Sequence, residues 1–193
     1  MNIPAHNVSA SFACHYSGGF SEEELDDLDK YLETLALKKA TVGNGEGPAS
    51  KKARVSEISF FQPEDLPWFS VRMHGLIDKI NKDRFKVNID CVGEGFQYTE
   101  YHAKDEGHYT WHVDTHDTFT KTTRKLSMIL ALNDFKDYKG GIFKERLNGT
   151  VKSWKLNRGD ILVIPSYALH QVTKVTEGTR KTIICWVSGP QYI

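Results

Sequence analysis

Tyr109-Thr110-Trp111-His112-Val113-Asp114 is the stretch on which the reading of this chain turns. Its aromatic and β-branched residues suit an extended backbone. Residues two apart on a strand point to the same face, so His112 and Asp114 can aim an imidazole and a carboxylate at one point. Strand candidates lie on both sides of it. Val87, Ile89 and Cys91 alternate with polar residues, and Phe96–Tyr101 follows. Downstream come Arg124–Leu132, Ile142–Glu145, Val151–Leu156, Asp160–Ile164, Leu169–Val172 and Thr179–Val187. Gly140-Gly141, Asn148-Gly149, Asn157 to Asp160 and Glu177-Gly178 are turn signals between them.

Upstream the pattern is helical. Ser21-Glu22-Glu23-Glu24 has the form of a capping box, and Leu25, Leu28, Leu32 and Leu35 follow at helical spacing. The spacing predicts a helix over Ser21–Leu37. A Gly-, Pro- and Ser-containing loop from Thr41 to Ala53 comes next, either a slack connector or a lid. Arg54–Phe61 reads as a short strand. Pro67 then opens a second helix carrying Trp68, Val71, Leu76, Ile77 and Ile80. Two helices followed by closely spaced strands predict a mainly β fold, a jelly roll with N-terminal helices. Residues 1–85 are expected to form a helical support segment packed on a core of residues 86–193, within one compact domain.

The chain has 193 residues, of which 39% are hydrophobic and 26% charged, enough to bury a core without staples. Lys plus Arg and Asp plus Glu number 25 each, which argues against a nucleic-acid binder that relies on bulk positive charge. Cys14, Cys91 and Cys185 are scattered and show no CxxC spacing, so neither a disulfide framework nor a zinc knuckle is expected. No apolar run approaches the ~18 residues of a membrane span. The expected location is cytoplasmic.

A third ligand can close the His112–Asp114 site. His170 follows the apolar run Gly159–Leu169, which turns at Pro165, and Arg180 comes ten residues later. Each piece alone has a plain reading: surface polar residues for the HxD, a structural histidine, a solvated turn arginine. Together, in this order and on expected strands, they form two His and one carboxylate. That set leaves open positions on an octahedral ion, which suits non-heme Fe(II) oxygenases. The open positions can take a bidentate 2-oxo acid and O2. The planar guanidinium of Arg180 can hold the far carboxylate of that acid by paired hydrogen bonds.

With these residues in place the sequence resembles the 2-oxoglutarate and Fe(II)-dependent oxygenases, specifically their prolyl 4-hydroxylase-like group. The likeness runs from about Gly95 to Pro190 through Tyr101, Tyr109, His112-Val113-Asp114, Arg124–Asn133, Gly140-Gly141, Gly159-Asp160, His170, Arg180 and Trp186. It implies a double-stranded β-helix fold. It assigns iron to His112, Asp114 and His170, and the 5-carboxylate of 2-oxoglutarate to Arg180. Tyr101 is then a cosubstrate hydroxyl donor, Tyr109 a neighbour of the metal strand at the substrate, and Arg124 a substrate-facing residue. Two departures stand out. Tyr101 lies one residue further from the HxD than in many relatives. Ala131 occupies a position where some prolyl hydroxylases carry a Tyr, which leaves Ser127 as a candidate to complete the carboxylate site.

The resemblance implies hydroxylation of an unactivated C–H bond with release of succinate and CO2. The expected cofactors are Fe(II), 2-oxoglutarate and O2, with ascorbate as an allowed auxiliary. The expected substrate is a prolyl residue in a peptide or protein, with a free amino acid or other small molecule as the alternative; no nucleic-acid or membrane partner is expected, and the oligomeric state is left open. A zinc-dependent hydrolase using the same triad is a competing reading, weakened by Arg180, which such an enzyme has no need of. A non-catalytic jelly-roll binding module is another. His116-Asp117 does not make a dinuclear pattern, because the segment reads HVDTHD where HxHxDH would be required.

Overall fold

Ser21 begins the first helix as the sequence predicts. Its Oγ accepts from the Glu24 backbone N–H at 3.2 Å while Glu24 Oε2 accepts from the Ser21 N–H at 2.8 Å. Helix α1 spans Glu22–Leu32 and buries Leu25, Leu28 and Leu32. It stops short of Leu37. Thr34 and Leu35 bond back three residues, and the Thr34 hydroxyl donates to the Tyr31 carbonyl at 2.7 Å, which competes with helix continuation. The computed structural model describes residues 13–40, 53–115, 122–147 and 149–191. The Thr41–Lys52 part of the loop and His116 therefore lie outside the described residues.

Helix α2, Pro67–Ile80, buries Phe69, Met73, Leu76, Ile77 and Ile80. Trp68 and Val71, also carried by this helix, are 37% and 74% exposed. At 100° per residue they fall outside the arc that the five buried residues define. A single π turn, Asn81–Phe85, extends the helix. The side chain of Asn81 then takes both backbone groups of Val87, donating at 2.9 Å and accepting at 3.1 Å. This holds residues 86–90 out of the sheet, so the strand expected from Lys86 begins only at Cys91.

The strands are β1 (Cys14–Tyr16), β2 (Lys38–Lys39), β3 (Arg54–Val55), β4 (Glu57–Phe61), β5 (Cys91–His102), β6 (His108–His112) and β7 (Thr122–Ala131). They continue with β8 (Lys139–Gly140), β9 (Phe143–Leu147), β10 (Thr150–Trp154), β11 (Ile161–Pro165), β12 (Leu169–Val172), β13 (Val175–Glu177) and β14 (Thr179–Pro190). They form an antiparallel seven-stranded sheet, β1-β11-β7-β14-β5-β4-β2, a five-stranded sheet, β10-β9-β12-β6-β3, and a short β13-β8 pair. This is the jelly roll expected from the strand pattern. The segment before residue 86 supplies β1 to β4 as well as the helices. The strand expected over Arg54–Phe61 is broken at Ser56. Its first half pairs with β6 in the smaller sheet and its second half with β5 in the larger.

Strand alternation divides the larger sheet into two faces. Met128, Leu130, Ile183 and Cys185 point outward into one core with Leu25, Leu28, Phe69 and Met73 of the helices. Ile129, Ala131 and Ile184 point inward, toward Phe143 and Val172 of the smaller sheet. The helices thus seal the outer face, and the inner face is left to build a cavity between the sheets.

Candidate metal centre

His112 ends β6, and its Cα partner on β12 is His170. Asp114 lies two residues beyond the strand end. Its extended placement is kept by the Ser166 carbonyl, which accepts from the N–H of Asp114 at 2.8 Å and of Thr115 at 3.1 Å. The three side chains converge. His112 Nε2 is 3.5 Å from Asp114 Oδ1, and His170 Nε2 is 3.5 Å from Asp114 Oδ2. All three ligand atoms lie within 4.8 Å of one another, and no other such group occurs among the described residues. Donors about 2.1 Å from a divalent ion and at right angles to each other stand about 3 Å apart, so the triad fits one face of such an ion.

The tautomers suit metal binding. His112 Nδ1 is 2.7 Å from the Thr110 carbonyl and His170 Nδ1 is 2.8 Å from the Ala168 carbonyl. Each Nδ1–H therefore donates to the backbone, leaving the Nε2 lone pair for the ion. Burial pushes the His170 pKa down, the nearby His112 adds to this, and the attraction of Asp114 does not reverse it. Burial opposes the charged form of Asp114, but the two imidazoles beside it, His112 foremost, and the Ser127 hydroxyl outweigh it and hold the carboxyl well below its usual range. The site presents two imidazole nitrogens and one carboxylate.

Arg180 lies 4% exposed near the start of β14, directly opposite Tyr101 of β5. Its guanidinium carbon is 5.5 Å from the Tyr101 ring centre, and its Nη1 donates to Thr182 Oγ1 at 3.4 Å. A Cβ on Gly140 would stand 2.0 Å from the Lys174 carbonyl, and one on Gly141 3.0 Å from Arg180 Cδ. The Gly-Gly pair therefore lets β8 pass close to the clamp. Arg180, Tyr101 and the triad line one cavity.

The comparisons with known proteins fit this geometry. The family model described as the 2OG-Fe(II) oxygenase superfamily matches residues 96–188. A PKHD-type hydroxylase of Prochlorococcus marinus is 35% identical over 163 residues, 82% of this chain and 71% of the relative. The chain belongs to the 2OG-Fe(II) oxygenase superfamily. A PKHD-type hydroxylase of Idiomarina loihiensis is 39% identical over 116 residues, 59% of this chain. The chain spans about half the length of that protein and less of several others. In fold it is similar to a Pseudomonas putida prolyl-4-hydroxylase, with a TM-score of 0.67 at 18% identity, covering 93% of each chain. Superfamily membership carries Fe(II) and 2-oxoglutarate with it, and the donor set fits both. The zinc-hydrolase reading finds no support.

Within this superfamily site, two expectations are corrected. Ser127 does not stand near Arg180. It faces Trp186 across β7 and β14, whereas Ala131 faces Thr182. Four residues of strand separate the two positions by about 13 Å. Ser127 instead bonds Ser166 at 3.0 Å and supports Asp114. The hydroxyl beside Arg180 is that of Thr182, fully buried and on the same strand face two residues on. Arg124 is not free to meet a substrate. Its Nε donates to Glu94 at 2.6 Å, its Nη2 pairs with the same carboxylate, and its guanidinium carbon lies 3.9 Å from the Trp186 ring centre. Its Nη1 reaches the Asp114 carbonyl at 3.3 Å, so it braces the backbone behind the metal ligand.

Tyr101 is buried against Arg180, and Tyr109 stacks on His112 with ring centres 3.4 Å apart. Sequence reasoning missed Thr182, Gln97 and Arg54, all of which line the cavity. The two-residue period starting at Arg180 was signal enough for Thr182. Arg54 follows Lys51-Lys52-Ala53 and reads there as one more solvated cation.

Proposed function

We propose that this protein is an Fe(II)- and 2-oxoglutarate-dependent dioxygenase that hydroxylates an unactivated C–H bond, with a prolyl residue of a peptide or protein as substrate. One observation carries the reading: a His-Asp-His triad, with Asp114 and His170 buried, shares one cavity with a buried arginine that has no carboxylate partner among the described residues. The similarity to PKHD-type hydroxylases supports hydroxylase chemistry, and the likeness to prolyl hydroxylases supports the fold that such chemistry uses.

His112, Asp114 and His170 would hold the iron. Arg180 would pair with the far carboxylate of 2-oxoglutarate, with the hydroxyl of Thr182 and the ring of Tyr101 fixing the guanidinium. Bound there, iron, 2-oxoglutarate and O2 supply the oxidising power for C–H hydroxylation and yield succinate and CO2. The protein supplies geometry and dryness. The Thr110 and Ala168 carbonyls lock the two imidazoles, Arg124 and Ser166 fix the Asp114 backbone, and Ile129, Phe143, Val172 and Ile184 line the cavity with apolar surface.

The test is anaerobic addition of Fe(II) and 2-oxoglutarate, read by the visible charge-transfer band of the chelate, then admission of O2 and measurement of succinate. Wild type gives both signals and His112→Ala gives neither. A wild type with no band, and succinate no higher than in His112→Ala, defeats the oxygenase reading.

A further inference from the structure

Two arginines are buried among the described residues, Arg180 at 4% exposure and Arg54 at 8%. Both line the same cavity. The other arginines that reach toward the interior have carboxylates: Arg124 has Glu94, and Arg158 has Glu22, Asp26 and Asp29. Arg54 has none among the described residues. Its Nε donates to Ser56 Oγ at 2.9 Å, and its guanidinium carbon lies 4.9 Å from the Tyr109 ring centre. Its two terminal nitrogens have no protein acceptor there. A guanidinium keeps its charge in a protein, so one set in a largely buried position without a counter-charge is suited to receive an anionic ligand.

The strand pairing aims this charge. Arg54 is the Cα partner of Tyr109, and Tyr109 stacks on His112 at an interplanar angle of 15°. Arg54 therefore stands one aromatic ring away from a metal ligand, on the smaller sheet, while Arg180 stands on the larger. Trp186 lines the cavity too, and its buried Nε1 lacks an acceptor. The cavity thus holds more donors than 2-oxoglutarate satisfies. One carboxylate of that cosubstrate would go to the metal and the other to Arg180.

We propose that Arg54, lying against Tyr109, is a second anion clamp that receives a carboxylate carried by the substrate. This rests on the oxygenase reading above and narrows its substrate class to acids. The carboxylate can come from a chain terminus or free acid next to the reacting residue, or from an acidic side chain beside it. Planar, bidentate recognition favours a carboxylate and explains why an arginine is used.

The experiment uses the full chain loaded anaerobically with Fe(II) and 2-oxoglutarate. Three probes are titrated by calorimetry, with the charge-transfer band followed in parallel. They are N-acetyl-alanyl-proline, its neutral N-methylamide, and the N-methylamide of N-acetyl-aspartyl-proline. At least one acid should bind about tenfold or more tighter than the neutral probe, as expected for a buried charge-assisted pair. The acid that does so identifies the source of the carboxylate. Arg54→Met, which keeps the packing on Tyr109, should abolish the preference and retain the band. Arg54→Lys should keep only part of the preference.

Equal binding of all three probes to wild type, absence of binding by any of them, or a preference that survives Arg54→Met overturns the proposal while the band leaves the oxygenase reading intact. A wild type that never forms the band overturns the oxygenase reading, and the second clamp with it. The wild-type comparison of acid and amide needs no variant to fold.

Discussion

Arg180 lies against Tyr101 and Arg54 against Tyr109, and in each pair the two residues are direct cross-strand partners. The pairs differ in what holds them. Arg180 and Tyr101 sit on 12-residue strands, and β14 is flanked by β7 and β5 inside the larger sheet. Arg54 sits on a 2-residue strand at the edge of the smaller one. A cosubstrate of fixed shape can be met by a rigid clamp with two neighbouring strands. A substrate that differs from one relative to another is better met from an edge, where a change of one residue disturbs little packing.

The division of labour can be broken in several ways. The largest effect is expected from Arg180→Met. Loss of a buried charge-assisted pair costs about 2–5 kcal/mol, so 2-oxoglutarate should bind at least about 30-fold more weakly, while Fe(II) affinity changes less than about twofold. Anaerobic titration of the charge-transfer band reads both. If Arg54→Met weakens 2-oxoglutarate equally, the two clamps are not distinct.

Next in size are the tyrosines. Tyr109→Ala removes the ring stacked on His112 and should weaken Fe(II) about tenfold, the low end for loss of a group that orients a metal ligand. Tyr101→Ala should weaken 2-oxoglutarate and spare the metal. Reversal of this pattern would exchange the roles of the two pairs.

Smaller again is Thr182→Val. Loss of the long hydrogen bond that the Thr182 hydroxyl accepts from Arg180, taken as about 1 kcal/mol, predicts roughly fivefold weaker 2-oxoglutarate binding, with the metal unaffected. Ser127→Ala should do the opposite and loosen the metal. Calorimetry on the two variants checks the placement of Ser127, which fails if Ser127→Ala harms the cosubstrate more.

The smallest effect concerns pH, and it is expected at the metal end. Burial lowers the His170 pKa below its ordinary 6.5, so the unfolded chain takes up that proton first. Stability contributed by neutral His170 is present above pH 6.5 and is lost as pH falls through the folded-state value. Asp114 acts in the same sense lower down, its contribution present above pH 3.8 and lost as pH falls through its depressed value. The melting temperature of the metal-free protein should therefore fall less between pH 7 and pH 5 in His170→Gln than in wild type. An equal or greater fall in the variant contradicts the sign.

Much of this was legible in the sequence because it is written in residue identity. HxD, His170 and Arg180 are chemically distinctive, and the capping box at Ser21 is local. What escaped was relational. Nothing in Arg54–Phe61 shows that the chain changes sheets at Ser56, since both halves read as strand and only the competition between β5 and β6 for partners separates them. The short strands β1, β2, β8 and β13 are too brief to show a period. Ser127 and Thr182 are both small hydroxyl residues on inward faces. Only the register of β7 against β14 tells which one is beside Arg180. Arg124 failed similarly, because Glu94, its partner, is thirty residues away in sequence.

Strand β14 follows every other described strand in sequence yet lies between β5 and β7, which do not pair with each other. The larger sheet is therefore two unjoined halves until β14 slides between them, and that same step delivers Arg180, Thr182 and Trp186 to the cavity wall. Sheet closure and completion of the binding wall are one event in the life of the chain. With β14 undocked, His112 and Asp114 would stand without Arg180, Thr182 and Trp186 beside them.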